Sequence, residues 1–188
     1  LLIDVTKAYD EYEPTRAARA IQDFVNDHLS NWYVRLNRKR FWKGELSADK
    51  HAAYDTLYNC LYVVSQLAAP IAPFYSEWLY KNLTESSRGG ATKNNAAPHV
   101  SVHLTDLVKP DKSKIDGELE KSMRYAQQIC SLVHSIRKNA KIKVRTPLQK
   151  ILLPILDPSF ANQVKTVEDI ILAEVNVKEI EYIDDTSG

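Results

Sequence analysis

The sequence predicts a mainly α-helical bundle followed by a small C-terminal α/β extension. Three observations carry this expectation. Apolar residues recur at helical spacing in successive stretches from Leu1 to about Ala140. Proline and glycine stand at the ends of those stretches, at Pro14, Gly44, Pro70 and Pro73, not within them. Beyond Lys141 the apolar period shortens to two, so residues 1–140 are expected to form the bundle and 141–188 the appendage.

Leu1 to Tyr12 reads as the end of a helix, with Val5, Ala8, Tyr9 and Tyr12 on one face. Leu1-Leu2-Ile3 resembles the middle of an element, and the chain is read as a piece of a longer protein. Pro14 opens a long helix, where its missing N–H costs nothing, and Gly44 after Lys43 ends it. Its predicted stripe is Ile21, Val25, His28 and Trp32, flanked by Phe24 and Leu29. Ser47 is a candidate N-cap for the next helix, with Asp49 in its first turn and Tyr54, Leu57, Tyr58, Leu61, Val64 and Ala68 facing the core. Pro70 stops it. Pro73 opens a third helix whose Phe74, Trp78 and Leu79 are expected in the core.

Residues 84–99, with Gly89-Gly90 and Asn94-Asn95, read as a mobile surface loop without phosphate-loop spacing. Val100–Leu104 alternates as a short extended segment. Asp116 or Ser113 caps a helix to about Ala140, its seam Leu119, Met123, Ala126, Ile129, Cys130, Val133 and Ile136. Lys141–Arg145 alternates with period two. Leu148–Leu156 is apolar enough for a strand, about Phe160 to Leu172 forms a short helix, Val177–Ile183 alternates again, and residues 184–188 read as a frayed end.

The chain has 188 residues, 44% apolar and 26% charged, which suits one domain or one domain with an appendage and excludes global disorder. A net charge of +1 announces no nucleic-acid partner; the distribution matters more. Arg35–Lys43 and Arg137–Arg145 are basic, and Glu168–Asp185 is acidic. Cys60 and Cys130 lie far apart in helical patterns and read as buried reduced thiols. With no signal peptide and no apolar run near about 18 residues, the expectation is a cytoplasmic chain with no membrane partner.

No catalytic constellation is recognisable. His99 and His103 have a metal-compatible spacing but no third ligand nearby, so no metal is expected. His28, His51 and His134 lack a carboxylate or nucleophile at a suggestive spacing, and the pairs Asp23/Asp27 and Glu179/Glu181 read as solvated surface.

One stretch stands out. In the long helix the apolar stripe meets Arg35, Lys39 and Trp42 in its last turns, and no acid lies between Asp27 and Glu45. Basic residues suit any helix C-terminus, where they meet the macrodipole and their stems cover apolar surface. Phe41 and Trp42 inside the cationic run also suit unpaired bases, which stack on rings while cations hold phosphates. The residues alone leave both readings open.

Asn31-Trp32-Tyr33-Val34-Arg35, followed by Arg38-Lys39-Arg40-Phe41-Trp42, resembles the helix signature of the anticodon-binding domain of isoleucyl-tRNA synthetases. Tyr12–Ala17, Ala20–Val25, Leu67–Phe74 with Glu77, Ser101–Leu104 and Lys141–Leu148 are similar to further segments of that family, in its order, over nearly all of residues 12–150. Single motifs would also fit valyl or leucyl relatives. The resemblance implies a class I anticodon-binding helical bundle within an enzyme that charges tRNA with isoleucine using ATP and Mg. The two ATP-site signatures, the editing domain and the family's zinc element are absent from this stretch, so it is expected to hold no cofactor and to be inactive alone.

The expected partners are isoleucine-specific tRNA and the remaining domains of the same synthetase. The expected RNA-binding residues are Arg35, Asn37, Arg38, Lys39, Arg40, Trp42 and Lys43, with Arg137, Lys138, Lys141, Lys143 and Arg145 as a second group. Asn37 offers a donor and an acceptor to a base edge. Trp32 and Tyr33 are expected in the core. The remaining alternative is a helical protein-interaction scaffold, anchored by Arg35, Phe41 and Trp42.

Overall fold

A computed structural model describes residues 1–42, 44–86, 100–155 and 157–183, with Glu85 and Ser86 as backbone. It falls into two compact units, Leu1–Asp111 and Lys112–Gly188. The sequence suggests a division at residue 140. In the structure the helix ending at Asn139 belongs with the C-terminal elements, because its apolar face packs on the two short helices that follow it.

The first unit is helical. α1 (Leu2–Asp10) and α2 (Pro14–Asp23) pack on α4 (Ala48–Ala68) through Val5, Ala8, Ala17, Ile21, Val64 and Leu67. Tyr12 joins α1 to α2 with a φ of 57°, closing α1 through a bond from the Glu13 amide to the Ala8 carbonyl. That turn leaves Tyr12 exposed, outside the predicted face.

The long helix expected from Pro14 to Lys43 is not one helix. Phe24–Val34 is wound as a π-helix, and beyond it the chain continues through Asn37, whose amide donates to the Tyr33 carbonyl at 3.1 Å, into a short α3 (Arg38–Trp42). Each π-type bond reaches one residue further than an α-helical bond, so the buried stripe slides around the rod. Leu29 is buried in place of His28, which is exposed, while Val25 and Trp32 are half-buried.

Ser47 caps α4, its Oγ accepting from the Lys50 amide at 3.2 Å. α5 (Pro73–Ser86) starts at its proline, but its polarity reverses expectation. Ser76, Tyr80 and Thr84 face inward, while Phe74 (91% exposed), Tyr75 and Trp78 point outward. Helical spacing alone cannot decide which face a neighbour covers, and here the inward face is fixed by Glu77. Its Oε2 accepts from Ser101 Oγ (2.9 Å) and the Val102 amide (3.0 Å), bringing Val102 onto Tyr80 and Ala69. Residues 102–104 consequently form a single 3-10 turn and not the extended segment expected there. The predicted loop 84–99 lies almost wholly outside the described residues.

In the second unit Asp116 caps α6 (Gly117–Asn139), and β1 (Leu148–Pro154) runs parallel to β2 (Val177–Ile183), Leu148 beside Val177 and Pro154 beside Ile183. Between the strands lie α7 (Pro158–Thr166), capped by Asp157, and α8 (Glu168–Val175). They replace the single helix expected over 160–172. Ala126, Ile129, Cys130 and Val133 of α6 are buried with Phe160, Val164, Ile171 and Val175, whereas Leu119 and Ile136 at the ends of the predicted seam are exposed. Lys141–Arg145 forms turns, not a strand: Lys141 has a φ of 57° and the Ile142 amide donates to the Arg137 carbonyl. Cys60 is half-buried and Cys130 buried, and neither forms a disulfide. Among the described residues, no helix is long and apolar enough to cross a membrane.

Candidate nucleic-acid interface

The α3 tip is built on its neighbour α4. Phe41, 6% exposed, inserts its ring against Tyr54 (5.1 Å between centroids) and Tyr33 (6.3 Å, edge-on). The Tyr54 hydroxyl donates to the Phe41 carbonyl at 3.0 Å, and the Tyr33 hydroxyl donates to the Ala53 carbonyl at 3.0 Å. Phe41 is therefore core, available neither to a base nor to a protein partner. Tyr33 is half-buried as expected of a packing residue, and Trp32 buries its indole N–H.

Trp42 follows a buried aromatic and is itself 77% exposed. Arg35, Arg38 and Lys39 are exposed as well. An exposed ring among cations is what a stacked base and its flanking phosphates require. Gly44, with a φ of +77°, turns the chain from this tip toward α4 in a conformation that a side chain would strain. Lys43 lies outside the described residues.

Arg40 and Asn37 are engaged within the chain. Arg40 donates from Nε to Asp49 Oδ2 (2.8 Å), from Nη2 to Asp49 Oδ1 (2.6 Å) and to the Asp49 carbonyl (3.0 Å), and from Nη1 to Asn37 Oδ1 (2.8 Å). The Asp49 carboxylate beside it raises the Arg40 pKa further above its ordinary value. Asn37 in turn donates from Nδ2 to the Tyr33 carbonyl at 2.8 Å, so its side-chain donor and acceptor are both engaged within the chain. Sequence reasoning noted Asp49 only as a helix-start acid; no spacing rule links it to an arginine nine residues earlier across a turn.

The second group divides differently. Arg137 is 2% exposed and donates from Nη1 to the Lys143 and Thr146 carbonyls (3.2 and 3.0 Å) and from Nη2 to the Val175 and Asn176 carbonyls (2.8 and 3.1 Å). It cannot reach RNA: its fork satisfies the end of α8 and the turns after α6. Lys138, Lys141, Lys143 and Arg145 are exposed around that turn.

A shallow hollow on the second unit is lined by Asp116, Glu118, Leu119, Ser122, Asn162, Gln163 and Thr166. With two carboxylates and no cation it does not fit a nucleotide triphosphate. Among the described residues, no three His, Cys, Asp or Glu side chains converge as a metal site.

Residues 1–152 match the family described as the anticodon-binding domain of tRNA ligase, and the chain belongs to that family. Within it, the chain is similar along its whole length to isoleucine–tRNA ligases. It is 58% identical over 188 residues to the ligase of Cytophaga hutchinsonii and 48% over 188 residues to that of Bacteroides thetaiotaomicron, covering 100% of this chain in both. It is 40% identical over 184 residues, 98% of this chain, to that of Thermus thermophilus. The chain spans only 16% of the first two relatives and 17% of the third.

Proposed function

We propose that this chain is the anticodon-binding portion of an isoleucine–tRNA ligase, and that the α3 tip is the surface that meets the anticodon stem-loop. The observation that carries the reading is the reversal between neighbours: Phe41 is sealed between Tyr33 and Tyr54, and Trp42 stands in solvent beside exposed Arg35, Arg38 and Lys39. Unstacked loop bases offer faces to the indole, and phosphates offer charge to the cations. Lys43 belongs to the same proposal by its place in the sequence, and Lys138, Lys141, Lys143 and Arg145 form a separate basic cluster on the second unit.

The whole protein would activate isoleucine with ATP and Mg and transfer it to its tRNA in the cytoplasm, using parts of the polypeptide beyond this stretch. The names of the relatives favour isoleucine over valine or leucine. Titration of the chain with an isoleucine-specific tRNA transcript tests the reading. Binding that weakens with salt by a slope of about −0.7 per phosphate contact in a single-stranded loop is expected; salt-independent binding, or none, contradicts it.

A protein-docking role is favoured by one separate observation. Phe74, Tyr75 and Trp78 form an exposed aromatic face on α5, with Tyr75 and Trp78 rings 5.7 Å apart, and the nearby Lys81 is paired with Glu77. Substituting Phe74 and Trp78 should leave tRNA affinity unchanged if this face serves protein rather than RNA.

A further inference from the structure

Arginine has five N–H donors, and Arg40 spends four of them inside the chain: one from Nε, one from Nη1 and two from Nη2. One N–H remains, on Nη1, so the two-pronged grip by which arginine recognises a phosphate is not available to it. Its acceptors are not incidental. Asp49 sits in the first turn of α4, where a carboxylate is favoured by the helix dipole, and Ser47 caps that same turn. Asn37, the third partner, immediately precedes α3, and its Nδ2 donates to the Tyr33 carbonyl one turn back, which also accepts the Asn37 amide. The network thus ties Asn37 and α3 to the start of α4, and Trp42 lies two residues beyond the tie.

We propose that Arg40, acting with Asp49 and Asn37, is a positioning residue: it holds α3 against the start of α4 so that Trp42 and the cations of Arg35, Arg38 and Lys39 are presented to RNA as a preformed surface, and it does not itself grip phosphate. This rests on the reading of the tip as an RNA-binding surface. A preformed tip binds more tightly because the cost of ordering its side chains is met before RNA arrives.

The two roles open to Arg40 differ in sign. Asp49 is an acid next to the proposed phosphate path. If electrostatics alone mattered, Asp49→Ala would strengthen RNA binding by removing a negative charge and releasing Arg40. Positioning predicts the reverse. Asp49→Ala and Arg40→Ala should each weaken binding of the tRNA transcript roughly fivefold, the scale of one or two side chains set loose, with the slope of affinity against salt unchanged. Asp49→Glu should restore part of the loss. Tighter binding by Asp49→Ala, a slope reduced by about 0.7 in Arg40→Ala, or no change in either variant would overturn the proposal.

A readout without RNA keeps this separate from the functional reading. In a Trp32→Phe, Trp78→Phe background, Trp42 is the remaining indole. Its fluorescence anisotropy should fall when Asp49→Ala or Asp49→Asn is added, with the helical circular dichroism preserved. If the parent chain binds no tRNA, the proposed function fails while this measurement still decides whether Arg40 holds the tip. An anisotropy indifferent to both substitutions would show that it does not.

Discussion

At the end of α3, Arg40 is the arginine turned back into the chain, and Trp42 beyond it is 77% exposed. At the end of α6, Arg137 is the arginine turned inward, and it is 2% exposed with four carbonyls around its fork. The two stretches look alike as sequence, each a run of lysines and arginines closing a helix. They differ in what lies behind the arginine. Behind Arg40 are the surface carboxylate and carbonyl of Asp49 and the Asn37 side chain, and an exposed arrangement of that kind adds little to stability. Behind Arg137 are backbone carbonyls from the end of α8 and two turns, buried where water cannot replace the missing donors. In both stretches an arginine is taken up by the fold while other side chains remain exposed. In the first unit the remainder includes an indole; in the second it is cations alone.

The largest expected effect tests this contrast directly. Arg137→Ala should destabilise the chain by about 3–5 kcal/mol, since it strips several buried acceptors of a charged donor. Urea unfolding measures this, and Arg137→Lys should fail to rescue because a single ammonium cannot span the four carbonyls. At the other end Trp42→Ala should cost about 1–3 kcal/mol in tRNA affinity while stability stays within about 0.5 kcal/mol. A Trp42 variant that unfolds, or an Arg137 variant that is stable, would erase the distinction.

Smaller still is Lys141→Gly. Lys141 sits at a φ of 57° closing α6, so glycine should stabilise the second unit by about 1 kcal/mol through relief of the left-handed conformation.

The two units also respond to opposite ends of the pH scale. Lys81, followed by the bonds from Ser101 and Val102, holds the Glu77 carboxyl down to about 2. Its folded pKa lies below the unfolded value of about 4.3. The stabilisation is then present above that value and is lost as pH falls toward 2. Burial, followed by the hydrogen bond to Glu168, pushes the Tyr182 hydroxyl well up. Its contribution is present below the unfolded value of about 10 and is lost as pH rises beyond it. Unfolding followed by hydrogen exchange should show residues 101–105 loosening first in acid and the end of β2 loosening first in alkali.

Much of this was legible in residues with one dominant physical role. Pro14, Ser47 and Asp116 mark helix starts because an unpaired amide needs an oxygen, or a missing one needs nothing, and those roles follow from residue type. The two strands were legible in the apolar run Leu148–Leu156 and the alternation over Val177–Ile183, but their parallel pairing was not, and the alternation over Lys141–Arg145 forms turns. What stayed hidden depended on neighbours. Phe74 and Trp78 have core spacing, but Glu77 fixes the opposite face of α5 inward. The π-helical winding of Phe24–Val34 moves the buried stripe by a fraction of a turn that no residue in it announces. Arg137 looks like its neighbour Lys138 until the carbonyls of Val175 and Asn176, nearly forty residues later, are brought to it. The α3 tip was partly legible: the cationic and aromatic run is visible, but which aromatic is buried is set by Tyr33 and Tyr54.

The most direct test is an ultraviolet crosslinking map of the chain on an isoleucine-specific tRNA. The account predicts crosslinks between the anticodon loop and the peptide that carries Trp42, lost in Trp42→Ala. Crosslinks confined to other peptides, with the α3 tip unmarked, would contradict it.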